Sequence, residues 1–574
     1  MRSAGKRPEG EAMILFPEIR SSENIERVKT HPYFKRGLQL IREQRDELLA
    51  APIEPLPFNL YDRFFRDGDR GAYEHLYFRH RARLVAFTIS YLLYRNEEDL
   101  HALEDVLWAV CDEYTWVLPA HIDEKPDGYD TFYIDLFSAE TGSAFAEILS
   151  LFENELNPKV VKRMKEAVTA RIFDIYENRG FFWDTMEMNW ASVCAGSVGV
   201  AYMYLAPERF LKVKERINET MEAFLRGYGT DGICTEGIGY WHYGFGYFMY
   251  YAQMLKEFTD GKEDFFARPI VEKSAYFQQN ALMRQNYSIS FSDGSQVGGY
   301  VPGMTHKLRE IYGDSVRILP EKYISYQDHC SRFLQALRDL FWVDPDREAS
   351  AVSATGTAYF SGAQWYLKNT EKLSLAAKGG TNGEPHNHND IGSFLLIGDA
   401  GQILCDFGSG EYTRDYFRDE YRYTYLCNSS RGHSVPVFSG TYQAPGEAYQ
   451  AKALQHDACF TVEIAGAYPE GTVQSLIRSM DLQEDGFTLT DCYQFADGSR
   501  GNQVTERFVT ELEPLCTEEG VCIGGFTMKA SCGGKNVSAV ISSEELKAHM
   551  GAVKTLYFID YQLEDPAEFR MELR

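Results

Sequence analysis

Residues 384–394 read EPHNHNDIGSF, which sets His386, His388 and Asp390 at alternate positions in a chain with 13 histidines. Imidazoles and a carboxylate at this spacing can hold a divalent metal or move protons. An extended backbone would put all three on one face, with Asn387 and Asn389 opposite. The strand expected at 391–397 turns at 398–401 and returns as QILCDFGSG, bringing Asp406 back to where that strand starts. His433 follows in NSSRGHSVP. A His–Asp–His set leaves room for water and suits Zn²⁺, or Mn²⁺ in octahedral geometry. For an isolated His-x-His pair the plainer reading is backbone hydrogen bonding at a sheet edge. The returning Asp406 and the third histidine tip the balance toward metal. An HNH-nuclease reading fails, because no basic excess and no cysteine clamp accompany the letters.

Three further stretches could carry chemistry. In DGICTEGIGYWHYGFGYF (231–248), Glu236, Tyr240, Trp241, His242 and Tyr243 arrive together where a helix should start, punctuated by glycines. A phenol there can transfer protons if its environment lowers its pKa from about 10. Trp241 could stack on a sugar ring, and tight aromatic packing is the bland alternative. In MEMNWASVCAGSVGVAYMYL (186–205), Asn189 reads as an N-cap or as an amide that binds a substrate carboxylate. In EYTRDYFRDEYRYTYLCNSSRGH (411–433), Arg414, Arg418, Arg422 and Arg431 offer forks for carboxylate or sulfate. A self-paired loop should absorb at least two of them.

Two kinds of element must position these residues. From 22 to 345 the chain reads as a series of helices, including NIERVKTHPYFKRGLQLIREQRDELLA, AFAEILSLFENEL and PERFLKVKERINETMEAFLRGYG. Short loops join runs with apolar faces, which suggests a closed stack of helical hairpins. Pro158 and Pro207 mark helix starts. After 350 the pattern changes to short β-prone runs broken by Gly, Asp-Gly and Asn turns, as in an antiparallel sandwich. LLIGDAGQIL reads as a hairpin with an Asp-Ala turn. The expected organisation is therefore an N-terminal tail (1–21), an (α/α) helical toroid (22–345) and a C-terminal antiparallel β-sandwich (350–574), a multidomain α+β chain.

Composition limits the partners. The 574 residues carry a formal net charge of −26, with no basic tail or face, so nucleic acid is not expected. The eleven cysteines show no framework spacing, and the N-terminus lacks the apolar run of a signal peptide. A cytoplasmic protein without a membrane span is expected, and a homo-oligomer stays open.

Taken together, HNHNDIGSF, CDFGSGEY and NSSRGH, with NW and EGIGYW upstream, resemble the heparinase II/III-like polysaccharide lyases. The resemblance covers both halves in order. It implies a toroid followed by a sandwich, and cleavage of uronic-acid chains by β-elimination to 4,5-unsaturated uronates. The C5 proton of a uronate is too weakly acidic to leave unaided. A site must therefore neutralise the carboxylate, supply a base at C5 and supply an acid for the leaving oxygen. The resemblance gives these roles to Asn189, to Tyr240 as base and/or acid, and to His386 as the second proton-transfer group. It gives His388, Asp406 and His433 to one divalent metal, Zn or Mn. A bend must then separate His386 from His388. Glu236, Trp241, Tyr243, Arg414 and Arg431 are the expected substrate contacts, with Tyr243 competing with Tyr240 for the catalytic place. Trp190 stands where some relatives carry a histidine. The expected partner is a short, anionic, glycosaminoglycan-like oligosaccharide. The alternatives are an (α/α)-toroid glycoside hydrolase, for which Glu236 lacks an evident carboxyl partner, and a non-catalytic carbohydrate-binding relative.

Overall fold

The structure is a computed structural model, which describes residues 15–122, 131–326, 328–350, 355–496, 501–549 and 551–574. Its first half is a two-layered helical toroid. Inner helices Gly71–Tyr94, Leu136–Phe152, Asn189–Leu205 and Gly246–Phe258 are buried over most of their length. They alternate along the chain with amphipathic outer helices Glu97–Asp112, Pro158–Val168 and Pro207–Arg226, each burying one stripe. A helix apolar all round must be enclosed, and one with a single stripe covers it. Asn189–Leu205 packs against Leu136–Phe152, Pro207–Arg226 and Gly246–Phe258. Its small residues permit this: a Cβ on Gly199 would sit 2.4 Å from the Tyr251 ring.

Pro158 and Pro207 each open their helix. The first expected helix is instead two, Ser22–Thr30 and Lys35–Ala50, with a 3₁₀ turn at Pro32–Phe34 between them. Pro32 cannot donate the hydrogen bond a continuous helix needs, and it disfavours helical backbone at His31. The last helix ends at Phe341 and the first strand starts at Gly356.

The second half is antiparallel throughout its named sheets. One sheet orders Gly356–Phe360, Trp365–Asn369, Ser374–Lys378, Phe394–Gly398 and Gly401–Leu404 side by side. The last two form the expected hairpin, turning at Asp399-Ala400. A nine-stranded sheet contains Ser475–Gln483, Gly486–Gln494 and Glu568–Leu573, and a four-stranded sheet contains Gln503–Thr510 and Val553–Glu564. Leu375, Phe394 and Leu396 share a core with Phe460, Leu476, Phe487 and Phe508. The opposite side of the first sheet, through Leu367, Leu395 and Ile397, joins the helical core. The two halves are locked by segment 282–300: Ser290 Oγ and Gln296 Nε2 both donate to the Asp406 carbonyl, each at 2.9 Å. Among the described residues, no helix is long and apolar enough to cross a membrane.

Candidate active site and metal centre

A cleft of about 1610 Å³ runs between the halves, lined by Asn189, Tyr240 and His386, among others. Asn189 comes from the toroid. It is the first residue of its helix, with Met188 at the cap position, and its side chain makes no capping bond. The N-cap alternative is therefore set aside. Its amide oxygen is buried without a partner, an unmet group in a substrate-sized space. Tyr240 ends a single helical turn, Ile238–Tyr240, that runs directly into a π-type turn over Trp241–Phe245. Such bulges push side chains out of helical register. Its hydroxyl meets that of Tyr412 at 2.9 Å, and its ring lies 4.4 Å from the His386 ring, centroid to centroid.

His386 does not sit in a strand. Residues 385–393 form turns, and His386 has φ 55°, in the left-handed region. That backbone is costly for a side chain other than glycine, and it supplies the bend that turns His386 away from His388. The common face expected from an extended 386–390 is therefore absent.

Asp293, from the toroid half, joins the two histidines. Its Oδ2 lies 2.6 Å from His386 Nδ1 and its Oδ1 lies 3.1 Å from His388 Nε2. Tyr416 donates to Oδ1 at 2.6 Å and Arg422 to Oδ2 at 3.2 Å. Burial pushes the Asp293 carboxyl up, but the bonds to His386 and His388 and the Arg422 charge outweigh it, holding the group well below the usual range. As an anion it accepts Nδ1–H from His386, and Nε2 is the ring nitrogen left without a hydrogen bond. Nε2 is 3.7 Å from Glu236, and the His386 side chain is 13% exposed. Burial raises the carboxyl of Glu236, against the pull of His386. Burial also holds the Tyr240 phenol well above its ordinary value, with Asp293 adding to the rise. The phenol is thus a proton donor at neutral pH.

The fully buried second cluster is His388, Asp406 and His433, each offering one ligand atom, all within 4.8 Å of one another. The chemistry of the set fits a divalent metal. His388 Nδ1, His433 Nδ1 and Asp406 Oδ2 are buried and have no hydrogen-bond partner outside the cluster, within which His433 Nδ1 and Asp406 Oδ2 lie 3.2 Å apart. Their other atoms are engaged: His388 Nε2 with Asp293, His433 Nε2 with the Cys427 carbonyl at 2.7 Å, and Asp406 Oδ1 with Gly408 N–H at 2.9 Å. Fixing one imidazole nitrogen so that the other is free to ligate is how metal histidines are oriented. Asp390 Oδ2 lies 3.6 Å from His433 Nδ1, while its Oδ1 accepts from buried Lys378 at 2.5 Å.

The remaining expected contacts divide. Arg414 lines the cleft rim. Glu236 is buried beside His386 Nε2 and does not line the cleft. Trp241 is 0% exposed, donates its indole N–H to Ser274 O at 3.1 Å and stacks on Phe245, so it is a packing residue and no sugar platform. Tyr243 is buried, with its hydroxyl donated to Glu140 at 2.5 Å and the Arg332 guanidinium over its ring. That leaves Tyr240 as the tyrosine beside His386. Arg431 is 40% exposed, faces Glu544 at 3.7 Å and lies outside the cleft lining, so it does not reach a substrate there. The sequence does not single out Asp293 or Tyr412, and it offers Arg422 only as one of four candidate forks, whereas Arg422 binds Asp293. The only local signal at Asp293 is the turn-forming SDG.

The architecture has solved counterparts. The heparan sulfate lyase HepC from Pedobacter heparinus matches with a TM-score of 0.57 at 12% identity, over 96% of this chain and 90% of that one. A heparinase III matches with 0.57 at 13%, over 98% and 93%. This chain has their fold. A chondroitin AC lyase from Streptomyces coelicolor A3 matches with 0.54 at 11%, over 97% and 82%. No family model matches the sequence, and no curated protein was found similar to it.

Proposed function

We propose that the protein is a polysaccharide lyase that cleaves uronic-acid-containing oligosaccharides by β-elimination, leaving a 4,5-unsaturated uronate. The observation that carries this reading is the convergence of Asn189, Tyr240 and His386 on one cleft, with His386 seated on anionic Asp293. The shared fold with heparan sulfate and chondroitin AC lyases supports it. Asn189 donates its side-chain amide N–H to the uronate carboxylate and stabilises charge that develops there as C5 loses its proton. His386 Nε2 takes that proton, and Asp293 stabilises the imidazolium that results. Tyr240, neutral and within reach of Tyr412, protonates the leaving oxygen as the C4–O bond breaks. His388, Asp406 and His433 would hold one divalent metal, Zn or Mn. When bound, it would neutralise the buried carboxylate and fix the loops that carry His386.

The test is ultraviolet absorbance of the new C4–C5 double bond on hyaluronan, chondroitin, dermatan and heparan oligosaccharides, alginate and pectate. We expect a rise on at least one class, abolished by Tyr240→Phe and strongly reduced by Asn189→Ala. Chain shortening without absorbance would overturn the lyase reading.

A further inference from the structure

The cleft is poor in free positive charge. Among the described residues, its lining has four arginines, no lysine and seven carboxylates. Three of the four arginines already donate to carboxylates, and the fourth, Arg414, faces one without a hydrogen bond. Arg70 donates to Glu74 at 2.6 Å, Arg79 to Glu47 at 3.1 Å and Arg332 to Asp328 at 2.7 Å, and Arg414 Nε lies 3.6 Å from Asp415. Arg422, the other guanidinium near the histidines, is buried against Asp293. A sulfate ester arriving here would have to displace one of these carboxylates or sit beside it, and like charges in apposition are costly. The cleft does offer flat apolar faces next to Asn189. Trp190 is braced by the edge of His121 at 4.9 Å and by Phe182 at 5.2 Å, and Phe182 is itself 52% exposed. His121 is fixed in turn by Asp135 at 2.7 Å and by stacking on Phe137.

We infer that the cleft selects unsulfated uronate chains, with the sugar beside the uronate held by stacking on Trp190 and Phe182 instead of by ion pairing. This rests on the lyase reading above, and it narrows the substrate to uronates whose only charge is the carboxylate. That one charge is met by the Asn189 amide and needs no guanidinium cluster.

The experiment compares matched oligosaccharides of equal length: chondroitin against chondroitin sulfate, and unsulfated heparosan against heparan sulfate. We expect kcat/KM to favour the unsulfated member by about tenfold or more, a gap that narrows as salt screens the carboxylates. Equal or better turnover of the sulfated member would overturn the inference. Glu74→Gln, which releases Arg70, should raise the sulfated-to-unsulfated ratio by about threefold, and an unchanged ratio would contradict its electrostatic origin. Trp190→Ala should raise KM for the unsulfated member by about 3- to 10-fold, and an unchanged KM would remove the stacking role. If no member is cleaved, the lyase reading fails separately. Calorimetric titration of both members into Tyr240→Phe protein still ranks them, and tighter binding of the sulfated one would overturn the selectivity.

Discussion

His386 and His388 are two residues apart and share one carboxylate, yet they face different chemistry. Asp293 takes Nδ1 of His386 and Nε2 of His388. The nitrogen left free on His386, a residue of the cleft lining, is Nε2, and the free nitrogen of His388 faces Asp406 and His433. One ring is partly exposed beside Tyr240, and the other is sealed in the sandwich. The difference teaches that the partner held by one imidazole nitrogen, more than the residue's place in the sequence, decides what the other nitrogen does. The left-handed turn at His386 is what lets one aspartate serve both.

The largest effect should come from breaking the shared anchor. Asp293→Asn should lower the elimination rate by about 10³-fold or more through loss of the tautomer-fixing anion. It should also weaken metal binding by about 10- to 100-fold, so rate assays and metal analysis should fall together. A fall in one alone would show that the two histidines are not coupled. Next, His386→Ala should lower the rate by about 10²- to 10⁴-fold, with metal content and melting temperature near those of the native protein. His388→Ala should do the reverse: metal content and melting temperature should drop, by more than the rate does. Chelation should reproduce that drop, and Zn or Mn should restore it in the native protein only.

The smallest effect contrasts two buried carboxyls. Asp293 accepts from Arg422 and the two imidazoles as well as from the Tyr416 phenol, whereas Glu140 accepts from the phenols of Tyr243 and Tyr247. Burial pushes Glu140 up from 4.5 to about 7, against the pull of Arg332 and the two tyrosines. Folding thus favours its protonated form. Its contribution to stability is complete below pH 4.5 and is lost as the pH rises to about 7. Glu140→Gln should flatten the stability profile in that window, measured by denaturant unfolding at a series of pH values.

Much of the fold was legible because it is written locally. Helices buried over most of their length alternate with striped ones, Pro158 and Pro207 mark starts, and the Asp399-Ala400 turn sits where the hairpin pattern put it. The site was legible only in part. The His388–Asp406–His433 cluster showed through because a hairpin returns Asp406 toward His388. Asp293 did not, since it meets His386 across 93 residues and its own neighbourhood spells only a turn. Trp241 and Arg431 misled for the opposite reason. Their types suit a sugar and an anion, but nothing local reveals that one packs into the toroid and the other faces Glu544. Asn189 resembled a cap because helix starts favour asparagine, whereas its side-chain amide oxygen makes no capping bond and has no partner.

The most direct test of the account is the mass of the cleavage products from a defined uronate oligosaccharide. Elimination predicts fragments whose masses sum to that of the substrate, with the new non-reducing end unsaturated. Fragments summing to the substrate plus one water would show hydrolysis and contradict the roles given to Asn189, Tyr240 and His386.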